Sequence, residues 1–327
     1  MPDRIKLADI ASTAWEHPAD RAALNTLRAI PGFDTVVRKI AGFFGEKGVR
    51  QLFLANAVRV GPDQRPKLWA RYQEVLQTLD WPEVPELYVS QTPLVNAAAV
   101  GFDKPFIVLN SGTVALLDDE ECRDVLGHEL GHIMSGHTTY TTIAIIILTV
   151  GLNNLPFLAG MALLPFQLAL MEWYRKAELS ADRAGLLTTQ DANASMGTFL
   201  KMAGGGAGDD TISIEAFKTQ AKEYESADDL GDRVWQVINT AFRTHPFGTV
   251  RAAELSRWVE SGAYAKILSG DYRRRSDTST PPLADDYADA AGYYGDQARG
   301  AVDTLSGILD RAKDAFNTAF KPSGGAS

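Results

Sequence analysis

From residue 20 to residue 60, apolar side chains recur at helical spacing: Leu24, Leu27 and Ile30, then Val36, Val37, Ile40, Phe43 and Phe44. That period predicts helices with a buried face, divided where Pro31-Gly32 interrupts the pattern. Leu68 to Leu79 repeats it and stops at Asp80-Trp81-Pro82. The period then shortens. Pro85 to Ser90, Asn96 to Gly101 and Pro105 to Leu109 read as three short strands, with turns at Thr92-Pro93 and Phe102-Asp103-Lys104. A helix follows at once. Asp118 and Glu121 have the spacing of a capping box, Asp119 and Glu120 add negative charge to the first turn, and Cys122, Val125, Leu126, Leu130 and Ile133 return to helical spacing.

Residues 143–171 form the most apolar region, from Ile143-Ala144-Ile145-Ile146-Ile147-Leu148 to Gln167-Leu168-Ala169-Leu170. A membrane-spanning helix needs about 20 consecutive apolar residues. Asn153, Asn154, Pro156, Pro165 and Gln167 cut this run into two shorter pieces. The expectation is a buried or surface-docking helical hairpin, with a membrane-inserted hairpin as the alternative. Helix resumes beyond Trp173, Gly204-Gly205-Gly206 reads as a flexible loop, and Leu255 to Ile267 closes the folded part. Ser276 to Asp296 has linker composition. Val302, Leu305, Ile308, Leu309, Phe316 and Phe320 then share one helical stripe, which packs on the body or a partner, or touches a membrane. Asp303, Asp310 and Asp314 count against the membrane. The organisation expected is an N-terminal helical region (1–82), a core (83–270) bearing the apolar hairpin, and a linker with an amphipathic helix (271–327).

Composition narrows the function. At 327 residues, 45% hydrophobic and 22% charged, the chain can bury a sizeable core. A net charge of −9 argues against a general nucleic-acid binder, which would carry a basic surface. One cysteine allows no internal disulfide. The stretch from Met1 to His17 lacks the continuous apolar core of a secretory signal, so the cytoplasm is the expected compartment, with membrane association the alternative.

The chemistry concentrates in Gly127-His128-Glu129-Leu130-Gly131-His132, in a chain with only five histidines. Two imidazoles four residues apart lie about 40° apart around a helix, so both can face one metal ion. Glu129 flanks that face, where it can take a proton from a water activated by the metal. The plainer alternative is a buried helix whose histidines are satisfied by hydrogen bonds. A catalytic zinc takes three protein ligands and a water. Glu178 is the best third candidate, with Asp182 one turn further on to bond the other nitrogen of a ligating histidine. On spacing alone the two remain readable as charges on a solvated helix face. His137 lies five residues after His132, rotated off the ligand face, and is expected to be structural or exposed. His17, before Pro18, reads as a cap or surface residue.

Taken in order, these motifs resemble the HtpX-like and CAAX-prenyl-protease-like zinc endopeptidases, a branch of the gluzincins. That family carries an H-E-x-x-H helix, a hydrophobic helical insertion and an E-x-x-x-D helix. Its upstream Asn-Ala strand is matched by Asn96-Ala97-Ala98-Ala99. The strand and turn before the metal helix are matched by Ile107 to Gly112, and its late His-Pro and Arg by Thr244-His245-Pro246 and Arg251. The likeness covers roughly residues 85–260. It implies a mostly helical α+β, zincin-like fold with a small, mainly antiparallel sheet beside the metal helix. It also implies one Zn²⁺ per chain on His128, His132 and Glu178. Two histidines and a carboxylate would accept Co²⁺ or Mn²⁺ as well. The family pattern places His245 near the metal, helping the oxyanion or covering the ion; the alternative is a helix N-terminus at Pro246. Arg251 is expected either to stabilise the tetrahedral intermediate or to tie down an acidic helix.

The function expected is hydrolysis of peptide bonds in unfolded or flexible polypeptides, with Glu129 as general base and the Asn96–Ala99 strand as an edge for extended substrate. The rivals are a membrane-associated quality-control protease and a non-catalytic zinc-bearing, chaperone-like module. Expected partners are a polypeptide substrate and no nucleic acid, with membrane contact through 143–171 or 297–320 as a further option.

Overall fold

The computed structural model describes residues 4–30, 32–147, 157–205, 212–225 and 247–277. Its sheet is built around one strand, β4 (Phe106–Asn110), whose Phe106-Ile107-Val108-Leu109 run is buried throughout. Continuous burial of this kind belongs to a central strand covered on both faces. β2 (Glu86–Ser90) lies parallel to β4, and β3 (Ala97–Val100) runs antiparallel on its other side. A further strand, β1 (Ala57–Arg59), pairs antiparallel with β2 and gives the order β1-β2-β4-β3. Two of the three pairings are thus antiparallel, and the central one is parallel. The three strands expected from alternation are present within a residue of their boundaries. β1 is additional, inside a stretch whose pattern reads as helical.

Local chemistry explains the helix boundaries. α1 (Pro18–Ala29) starts with proline at its first position, and the His17 Nδ1 accepts the Ala19 N–H as an N-cap. His17 is buried, so it is a cap and not a surface residue. α2 (Phe33–Leu54) begins after Gly32 in the left-handed region and kinks at Gly45. α3 (Pro66–Thr78) and the short α4 (Ser111–Leu116) flank the sheet sequence. α5 (Asp119–Met134) opens with the expected capping box: Asp118 accepts from Glu121 N at 3.0 Å, and Glu121 accepts from Asp118 N at 2.9 Å. Two reciprocal bonds satisfy donors that the first turn would leave orphaned.

α6 (Thr138–Ile146) enters the apolar region, and the chain leaves it along α7 (Phe157–Thr189), one helix of 33 residues. The tip of the expected hairpin lies outside the described residues. Among those described, no helix is long and apolar enough to cross a membrane. α8 (Ala192–Leu200) passes into a π-helical turn at Lys201–Gly205, where a flexible glycine loop was expected. α9 (Ile214–Glu225), α10 (Gly248–Glu260) and α11 (Ala263–Leu268) complete the helices. The linker and terminal stripe after 277 fall outside the described residues.

One core joins these pieces: Leu7, Ile10 and Trp15 pack in the same cluster as Val75, Leu109, Leu126, Leu130, Phe199 and Trp258. α5 and α7 meet most closely. A Cβ on Gly131 would lie 2.5 Å from the Ala184 Cβ, and one on Gly127 would lie 2.2 Å from the Thr188 Oγ1. Only hydrogen at these two positions lets the helices approach so near, and that closeness sets the reach between their side chains.

Candidate metal centre

α5 presents His128 and His132 one turn apart, and α7 presents Glu178 against them. The two Nε2 atoms are 3.2 Å apart. Glu178 Oε2 is 3.5 Å from His128 Nε2, and its Oε1 is 3.2 Å from His132 Nε2. All three side chains are buried. Among the described residues this is the cluster of His, Cys, Asp and Glu whose ligand atoms fall within 4.8 Å of one another. A tetrahedral zinc with bonds of about 2.0–2.2 Å spaces its ligand atoms about 3.3 Å apart, so the donor set and its spacing fit that ion.

Each imidazole is held from behind by its Nδ1. For His128 the partner is Asp182 Oδ1 at 2.9 Å, as the E-x-x-x-D spacing suggests. For His132 it is His137 Nδ1 at 3.0 Å. His137 is 2% exposed and in the site, which excludes the exposed reading of that residue. Helical rotation misplaces it because the helix has already ended. Gly136 has φ +69°, its N–H reaches Ile133 O at 3.1 Å, and the His137 N–H reaches His132 O at 2.9 Å. Those two bonds are a Schellman C-cap, which folds His137 back over His132.

Arg251 reaches the cluster from α10, with its Nη1 3.8 Å from Glu178 Oε2. Its Nε donates to Asp182 Oδ2 at 2.9 Å while Nη2 donates to Oδ1, a bidentate pair in a buried setting. The guanidinium thus holds Asp182, the residue behind His128. His245 and Pro246 lie outside the described residues. Glu129 is buried beside His128 on α5. Tyr174, one turn before Glu178, stacks on His132 with ring centroids 6.4 Å apart. Nothing in the spacing marks Tyr174 except its place one turn ahead of a candidate ligand.

The electrostatics are those of a buried, carboxylate-rich site. Burial alone would depress the basicity of His128, but the charges of Glu178 and Asp182 prevail and raise it. His132 goes the other way: burial and the neighbouring imidazoles hold it neutral. Burial would raise the Asp182 carboxyl, yet Arg251 and His128 keep it below the usual carboxylate range. Tyr174 is pushed well above the ordinary phenol range, first by burial and then by Glu178 and Glu129, so its hydroxyl keeps its proton.

The model of peptidase family M48 matches residues 62–259, a span that includes all three clustered residues, Asp182 and Arg251. The chain belongs to peptidase family M48. It is therefore a metallopeptidase. It is 33% identical over 273 residues to the plastoglobule-localized metallopeptidase 48 of Arabidopsis thaliana chloroplasts, covering 81% of this chain and 78% of that protein. A protease HtpX homolog of Tropheryma whipplei is 27% identical over 47% of this chain and 62% of its own length. Another, from Moorella thermoacetica, is 24% identical over 69% of this chain and 82% of its own. No solved structure matches the chain. The family resemblance, the mostly helical fold and the small sheet expected from the sequence all hold.

Proposed function

We propose that the chain is a zinc endopeptidase acting on unfolded or flexible polypeptides, with His128, His132 and Glu178 as the ligands of one zinc. The observation that carries this reading is the buried His128–His132–Glu178 cluster, whose ligand atoms lie within 4.8 Å of one another. Zinc bound there would supply a water acidified towards neutrality and a positive charge to polarise the scissile carbonyl. Glu129 is the general base: it takes a proton from the attacking water and returns it to the leaving amine. Asp182 fixes the tautomer of His128, and Arg251 fixes Asp182 in turn. His245, on the pattern of the family, would approach from the chain segment before α10.

β3 stands at the edge of the sheet and packs against α5, the metal helix. The Asn96 backbone is tied to Thr113 and Asn110, so an extended peptide would add along Ala97, Ala98 and Ala99 by backbone hydrogen bonds and be held with little regard to its sequence. Such binding suits unfolded substrates, whose backbone groups are free to pair, whereas most of those in a folded protein are already bonded.

Glu129→Gln separates chemistry from metal binding. The variant is expected to keep zinc and lose at least about 10²-fold in casein cleavage, the scale of a lost general base. Undiminished cleavage would refute the assigned base.

A membrane-associated form of the same enzyme is the second reading. It is favoured by Phe43, 84% exposed on α2, and by the plastoglobule named for the Arabidopsis relative. Co-flotation of the purified chain with lipid vesicles would support it, and full recovery in the vesicle-free fraction would count against it.

A further inference from the structure

We infer that Asp20 and His137 act as a relay that positions His132, making helix α1 part of the metal centre although it lies outside the stretch matched to the family. The inference rests on the ligand set proposed above. His137 Nε2 lies 3.1 Å from Asp20 Oδ2, and His137 Nδ1 lies 3.0 Å from His132 Nδ1. The three side chains thus form a line, Asp20 to His137 to His132, ending at the nitrogen that faces Glu178.

The direction of this line follows from hydrogen-bond chemistry. An ionised carboxylate only accepts, so His137 carries its proton on Nε2. When both imidazoles are neutral, as a zinc on His132 Nε2 requires, His137 Nδ1 is then a lone pair. His132 must put its proton on Nδ1 to bond it, which leaves a lone pair on His132 Nε2, the atom 3.2 Å from Glu178 Oε1. Asp20 therefore sets the tautomer of His132 through one intervening residue, His137. Asp182 does the same for His128 in one step. The centre supports its two histidines by different means, one direct and one relayed.

The carboxylate of Asp20 is itself built in. Trp173 Nε1 donates to Oδ1 at 3.0 Å, and Ser180 Oγ donates to Oδ2 at 2.6 Å. The Ser180 Oγ accepts the His17 N–H at 2.9 Å. Asp20, His137, Trp173 and Ser180 are each 2% exposed or less. Trp173 and Ser180 sit on α7, the helix that carries Glu178, so α1 is pinned to the helix that bears the third candidate ligand. A buried carboxylate is costly unless fully bonded, and here every bond it accepts comes from the elements around the metal centre.

The test is zinc affinity, measured by competition with a chromophoric chelator on the full chain. Wild type, Asp20→Ala, His137→Leu and the double variant are compared, with circular dichroism to show that each is folded. Each single substitution should weaken zinc binding about 10- to 100-fold, the range for partners behind a ligating histidine. The double variant should be no weaker than His137→Leu, because both residues act along one path. Unchanged affinity in folded Asp20→Ala, or losses that multiply in the double variant, would overturn the relay. His128→Ala is the control for the ligand set: zinc retained there refutes the ligands themselves, whereas zinc lost there and unchanged in Asp20→Ala defeats the relay alone. Nitrogen-15 NMR of the zinc-loaded wild type needs no variant to fold. Protons on His132 Nδ1 and His137 Nε2 are expected, and a proton on His137 Nδ1 would contradict the inference.

Discussion

Asp20 is a buried carboxyl, and burial alone would favour its neutral form; in the metal-free protein the charge of the neighbouring His137, then the bonds from His137 and Ser180, reverse this and hold it below the ordinary range. A group depressed in the folded state contributes stability above its unfolded pKa, about 3.9, and that contribution disappears as pH falls through the folded value. The metal-free wild type should therefore lose melting temperature steeply below about pH 4, while Asp20→Asn, lower at neutral pH, should show a shallower acid limb. Parallel acid limbs in a melting series from pH 6 to pH 3 would contradict the assignment. At this scale the sequence was uneven. His128, Glu129 and His132 were legible because one helix fixes their relative directions. Glu178 and Asp182 needed the resemblance, since a carboxylate pair at that spacing is common on solvated surfaces. Asp20, His137 and Tyr174 were not legible as site residues. His137 was hidden by the turn at Gly136, and Asp20 by a contact 117 positions away in the chain.

The elements were more legible than the contacts between them. Asp118 and Glu121 announce the start of α5, and Pro18 announces that of α1, because capping is written within a few residues. β1 is three residues long and owes its existence to β2, so no local period could declare it. The parallel pairing of β2 with β4 is equally non-local, since the intervening β3 goes to the far side of β4. The helix pair α5–α7 decides whether the candidate ligands meet, and its spacing depends on glycine. Gly131→Ala gains about 1 kcal/mol of helix propensity. It must also fit a methyl where 2.5 Å is available to Ala184. Overpacking of this kind costs about 1–3 kcal/mol, so net destabilisation is expected, together with weaker zinc binding as Glu178 is moved away from the histidines. Urea unfolding and chelator competition measure the two effects; a variant both more stable and equally avid for zinc would show that the helices have room to spare.

Across the whole molecule, the distribution of contacts ties distant segments to one centre. The stretch 271–277 closes on the N-terminal segment: Ile10 bridges Arg274, Arg275 N–H reaches Asp9 O at 2.8 Å, and the Tyr272 hydroxyl reaches Ala8 O at 3.1 Å. Trp15 and Leu7, just before α1, pack in the core that also holds Leu126 and Leu130 of the metal helix. Family membership, the candidate metal cluster and the path from α1 to His132 thus meet on one pair of packed helices. The central claim is that His128, His132 and Glu178 together hold the metal. It is tested most directly by the metal content of purified wild type and Glu178→Ala, read by plasma mass spectrometry after desalting. About one zinc per wild-type chain is expected, as for a single catalytic site, and almost none in the variant. A stoichiometric zinc in Glu178→Ala would contradict it.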